Sequence, residues 1–146
     1  MKKLFTAALL AVTIATSAFA TDAKKVSSIV LSSFDADFSE ASNVTWTAAN
    51  EFTKATFILN KQKMEAFYSS NGELFAKSKG ISLDELPVRA KRDFAKRFAG
   101  FTVKEAISME LPAESAFFIS GENEKESVIL KVSDAGTVSV YKRTSK

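Results

Sequence analysis

Two pairs of phenylalanines with the same helical spacing, Phe34 with Phe38 and Phe94 with Phe98, lie about sixty residues apart and constrain the chain more than any other feature. In the segment Leu86 to Val103, a turn of about 100° per residue gathers Ala90, Phe94, Phe98 and Phe101 in one sector. Arg89, Arg92 and Lys96 fall on the opposite side, so one face is core and the other meets water. Pro87 suits a first helical turn, where its missing N–H costs nothing, and Gly100 suits a left-handed C-terminal position. Ser82-Leu83-Asp84-Glu85 has the form of a capping box. Because Pro87 would damage a helix started at Ser82, the pattern predicts a short turn there and a helix from Leu86 or Pro87. Earlier in the chain, Val26, Val30, Phe34 and Phe38 recur every four positions and predict a first helix.

Each helix is followed by segments that alternate with the period of two expected of strands. After the first they are Val44–Ala48, Phe52–Leu59, Lys63–Ser69 and Leu74–Ser78. After the second they are Val103–Leu111, Ala116–Ser120, Ser127–Ser133 and Thr137–Arg143. Asn71-Gly72 is the strongest turn signal: a two-residue type I′ loop would set Tyr68 opposite Phe75 and Phe67 opposite Ala76. Asp134-Ala135-Gly136 holds the matching place in the second half. The expectation is an α+β fold with αββββαββββ order, a tandem duplication with repeats at about 26–80 and 81–146. Its helices pack on one face of antiparallel sheet, and the other face is open and concave.

The first twenty residues stand apart. Lys2 and Lys3 precede an apolar run, Leu4 to Ile14, and Ala18-Phe19-Ala20 supplies small residues for a signal peptidase. The run is too short for a membrane anchor, which needs roughly 20 apolar residues. A cleavable signal peptide over 1–20, a loose stretch at 21–25 and one domain over 26–146 follow, with export to a periplasm or the medium. Cleavage after Ala20 leaves 18 basic and 17 acidic side chains, so the basic pI of 9.1 comes largely from the leader. That balance argues against nucleic acid as a partner. With no cysteine, disulfides are absent and stability rests on apolar burial.

The absence of His and Cys removes Ser-His-Asp and Cys-His catalysis, zinc clusters and haem ligation. Asp35-x-Asp37 resembles the start of a calcium loop, but the later ligands and the required glycine are missing. No Gly-rich phosphate loop occurs. The expectation is therefore a non-enzyme without cofactor or metal. The basic stripe Arg89, Arg92, Lys96, flanked by Lys91 and Arg97, reads as the solvated back of a helix, with an anionic partner or phospholipid surface as the functional alternative.

The sheet carries the functional reading. With Met64, Ala66, Tyr68, Phe75, Val128, Leu130, Val132, Val138 and Val140 toward the helices, the opposite face receives Phe52, Phe67, Leu74, Phe118, Ile129 and Tyr141. These six, mixed with Lys54, Glu65, Ser108, Glu110 and Lys131, form a candidate partner-binding surface of aromatic anchors and charged rim. A second core layer is the competing reading, and a homodimer through this face would use the same aromatics.

Phe34-x-x-x-Phe38-x-x-Ala41-x-x-Val44-x-Trp46, the Asn71-Gly72 hairpin, and Leu86-Pro87 opening a helix with Phe94, Phe98, Gly100 and Phe101 together resemble a known family. It is that of the exported PepSY-like domains related to β-lactamase-inhibitor proteins, frequent in Bacteroidetes. The resemblance spans about Val26 to Arg143. Where the family often has Pro after the second aromatic of each helix, this chain has Ser39 and Ala99. The resemblance implies a sheet face that grips another exported protein, an enzyme such as a peptidase, without stable membrane insertion. The alternative is a small-ligand or envelope-component binder using the same face.

Overall fold

The computed structural model describes residues 25–146; the leader expected at 1–20 and residues 21–24 lie outside the described residues. Helix α1 spans Ser28–Asp37 and is followed by strands β1 (Ser42–Ala48), β2 (Thr53–Leu59), β3 (Gln62–Tyr68) and β4 (Leu74–Gly80). A 3-10 turn at Leu83–Glu85 leads to α2 (Val88–Arg97), then β5 (Thr102–Glu110), β6 (Ser115–Glu122), β7 (Glu126–Ser133) and β8 (Val138–Ser145). All eight strands form one antiparallel sheet in sequence order, with β1 and β8 at its edges. The α+β class and the predicted element order are both present. No helix among the described residues is long and apolar enough to cross a membrane.

The ends of the helices follow local chemistry. Ser27 caps α1, its Oγ accepting from the N–H of Val30 at 3.3 Å. The Glu85 carboxylate accepts from the N–H of Ser82 at 2.9 Å and starts one 3-10 turn, which Pro87 keeps from extending because Leu86 before it is held in extended backbone. The α2 helix closes at Phe98, whose N–H donates to the carbonyl of Phe94, so Gly100 does not serve as the left-handed cap expected of it.

The hairpins correct one expectation in detail. Type I′ geometry, with positive φ at both loop residues, occurs at Asn60 (51°) and Lys61 (64°). At Asn71-Gly72 only the glycine is left-handed, at φ 82°. There the Gly72 N–H donates to the Ser69 carbonyl and the Ser69 N–H to the Glu73 carbonyl, a three-residue loop that ends in a bulge. Phe67 still faces Ala76, but Tyr68 now faces Leu74 in place of Phe75. Ser133 to Thr137 repeats the pattern, with Gly136 at φ 80° and the same two backbone hydrogen bonds.

Both helices lie on one face of the sheet, over its two ends. Against α1 pack Trp46, Ala55, Phe57, Ala66 and Tyr68. Against α2 pack Ala106, Ile119, Val128, Leu130, Val132 and Val138. Between these clusters, the helix side of β4 and β5 is polar: Lys77 and Lys79 are paired with Glu110 and Ser108, and Lys77 holds Glu110 at 3.0 Å. Where the helices leave a gap, the apolar residues of the central strands point the other way.

Candidate functional site

The face opposite the helices is built from alternate residues of successive strands. Phe52 precedes β2, Phe67 comes from β3, Ala76 from β4, Ile107 and Met109 from β5, and Ala116 and Phe118 from β6. Phe75, Leu111, Ile129 and Tyr141 pack around them. No helix residue belongs to this cluster. Phe52, Phe67 and Phe75 form a triangle of rings with centroids 5.7 to 6.5 Å apart, and Phe118 meets Tyr141 edge to face at 5.6 Å.

Five of the six residues expected on this face are there: Phe52, Phe67, Phe118, Ile129 and Tyr141. Leu74 is not. The bulge after Phe67 turns Leu74 to the helix side, where it packs with the α1 cluster, and delivers Phe75 to the helix-free side in its place. Ser108 and Glu110 are likewise corrected to the helix side, because Ile107 and Met109 pair with Phe118 and Ala116 and take the apolar face. The alternation Ile107-Ser108-Met109-Glu110 carried this signal. What hid it is that polar residues point toward the helix layer at mid-sheet, where no helix lies above them.

The face is also less open than expected. Phe67 is 0% exposed, Phe118 2% and Phe52 5%, so these rings form a second core layer, and only Phe75, Leu111, Ile129 and Tyr141 are partly accessible. The face is thus a buried floor with a partly accessible rim, and the floor fits the second-core-layer reading.

A polar network adjoins the rings. Lys54, 5% exposed, lies opposite Phe67 and donates to Glu65 Oε1 at 2.8 Å; Thr56 and Ser78 hydroxyls reach the same carboxylate at 3.5 and 3.4 Å. Burial raises the pKa of Glu105 above the usual carboxylate range and Glu65 adds to the rise, against a smaller opposing pull from Lys63 and Lys54. Glu105, Ser120, Ile129 and Lys142 line a hollow of about 600 Å³ together with residues of the β5–β6 and β7–β8 ends. The Tyr141 hydroxyl is buried without a hydrogen-bond partner among the described residues, and burial raises its pKa. Among the described residues there is no grouping of three or more His, Cys, Asp or Glu side chains able to hold a metal ion.

No protein-family profile matches the chain, and no curated protein matches it. Solved structures do. A Bacteroides eggerthii protein described as periplasmic superposes with a TM-score of 0.73 at 16% identity, covering 82% of this chain and 88% of that one. A DUF2874 family protein from Bacteroides ovatus gives 0.70 at 19% identity, over 81% and 86% of the two chains. A BLIP-like protein from Bacteroides fragilis gives 0.66 at 16% identity, over 82% and 85%. At these identities the likeness is one of fold, and the fold is BLIP-like.

Proposed function

We propose that this chain is an exported, non-catalytic binding module of PepSY-like type, built by duplication of a helix-plus-four-strand unit, and that it engages another exported protein through its helix-free face. The observation that carries the reading is the aromatic cluster on that face. The helices already bury Phe34 and Phe98 on the other side of the sheet, so a second group of rings ending in a partly exposed rim is more than one core layer needs. The fold similarity to a BLIP-like protein and to one described as periplasmic supports an exported binder, and inhibition of an enzyme such as a peptidase is the specific form we infer.

Crosslinked capture from the source organism's envelope tests this. Ile129→Ser and Tyr141→Ser, both at the rim, are expected to abolish capture of a partner that the unaltered protein retains while leaving it folded. Undiminished capture by both variants would reject the helix-free face. A second reading, a small envelope component as ligand, is favoured by the hollow beside Glu105 and Lys142, whose volume is in the range of small-molecule sites. Native mass spectrometry of the exported protein separates the two, because a retained small mass supports the ligand.

A further inference from the structure

The two helices do the same structural work but present different outward faces. On α1 the exposed positions are Ser28, Ile29, Ser32, Asp35, Ala36 and Asp37; on α2 they are Val88, Arg89, Arg92, Ala95, Lys96 and Arg97. The other α2 cations are engaged: Lys91 donates to the Asp84 carbonyl at 3.2 Å, and Arg97 donates to Asp93 at 2.9 Å and to the Val138 carbonyl at 3.0 Å. Arg89, Arg92 and Lys96 have no ion pair or hydrogen bond among the described residues, and they share one sector of the helix. They line a hollow of about 230 Å³ between α2 and the start of β8, closed by Thr137 and Val138; its one carboxylate, Asp93, is already held by Arg97.

An exposed apolar side chain flanks this stripe: Val88 is 66% exposed on the same outward face. The geometry points to a peripheral docking surface for an anionic phospholipid bilayer, with lipid phosphates over Arg89, Arg92 and Lys96 and with Val88 at headgroup depth. Two features favour a membrane over a soluble polyanion. The apolar flank has no use on a fully hydrated polymer, and the acidic α1 end, with Asp35, Asp37 and Glu40, would repel a polyanion that wrapped the molecule. This surface is distinct from the helix-free face, so a protein anchored by α2 keeps that face available.

Sedimentation of the protein recovered after export, with phosphatidylglycerol-containing and with pure phosphatidylcholine vesicles, tests the proposal. Binding is expected to the anionic vesicles at low salt, with release at high salt and none to phosphatidylcholine. The combined Arg89→Gln, Arg92→Gln, Lys96→Gln variant is expected to lose on the order of a hundredfold in vesicle affinity. Val88→Ser should weaken binding severalfold and keep its salt dependence. Absence of binding to anionic vesicles, or equal binding by the folded triple variant, overturns the proposal. So does titration with inorganic phosphate that saturates the α2 hollow while vesicles do not bind.

Discussion

The α1 and α2 halves solve one packing problem with different materials. Under α1 the contacts are aromatic: the Phe34 ring lies 5.1 Å from Trp46, 5.0 Å from Phe57 and 6.4 Å from Tyr68, and Phe38 lies 4.7 Å from Phe57. Under α2 the sheet offers mainly aliphatic side chains, with Phe117 of β6 at the margin, and the rings of Phe94, Phe98 and Phe101 meet mainly one another. The polar ties differ too. Tyr68 donates to Asp37 at the end of α1 at 2.9 Å, whereas Arg97 at the end of α2 reaches the Val138 carbonyl and lies 5.3 Å over the Phe98 ring. Rings that interlock fix a helix through geometry, while an aliphatic bed tolerates substitution by volume. The first half should therefore be the more sensitive to single changes.

The largest expected effect is Phe34→Ala, about 4 kcal/mol of stability lost, because Phe34 is buried and in ring contact on several sides. Phe94→Ala in the second half should lose about half as much, its ring being only partly buried. Equal losses in chemical denaturation would break the comparison. Next come Gly72→Ala and Gly136→Ala, each expected to lose about 1–2 kcal/mol from left-handed backbone alone. A Cβ at Gly72 would come 2.6 Å from Ile29 Cγ2, and one at Gly136 would come 3.1 Å from the Cβ atoms of Pro87 and Arg89. Adding Ile29→Ala should restore part of the Gly72→Ala loss, since Ile29 is 57% exposed and dispensable to the core. No side-chain truncation to Ala can do the same at Gly136, where the obstructing atoms are themselves Cβ atoms.

A smaller effect separates the polar ties. Tyr68→Phe should lose about 1 kcal/mol near neutrality. Burial, then the hydrogen bond and charge of Asp37, hold the Tyr68 phenol well above the usual tyrosine range. The folded state thus binds this proton more tightly than the unfolded state does, and its stabilisation, complete below the unfolded value of about 10, declines as pH rises beyond it. Thermal melts above that pH should show a shallower decline for Tyr68→Phe than for the unaltered protein; parallel curves would remove Tyr68 from the account. Smallest of all, the Arg89, Arg92, Lys96 glutamine triple should shift stability by no more than about 0.5 kcal/mol per site, because these side chains make no ion pair or hydrogen bond within the described residues.

Much of the architecture was legible because burial imposes periodicity. Phe34, Phe38, Phe94 and Phe98 located both helices, and alternation located all eight strands. The misplaced residues cluster where one residue changes parity. Asn71-Gly72 suits both a two-residue loop and a three-residue loop with a bulge, and spacing alone does not distinguish them; that choice exchanged Leu74 for Phe75. Ser108 and Glu110 lie on the side opposite to that expected, because the expectation takes a helix-facing residue to be apolar and the gap between α1 and α2 suspends that rule. The candidate face was readable as a set of rings. Its burial was not, since exposure depends on how neighbouring strands bring Ile107, Met109 and Ala116 against Phe67 and Phe118.

The junction between β4 and β5 pairs over Lys77–Gly80 with Ile107–Glu110, a shorter ladder than those on either side of it. Since every strand pairs with its neighbour in sequence, no strand pairing within either half requires closing a long loop, and the sheet of each half can form from local encounters. The order of assembly then has a natural seam: hydrogen exchange should find the amides of Lys77 to Gly80 opening before those of β2 or β7, and a chain stretched from its ends should part at this ladder first.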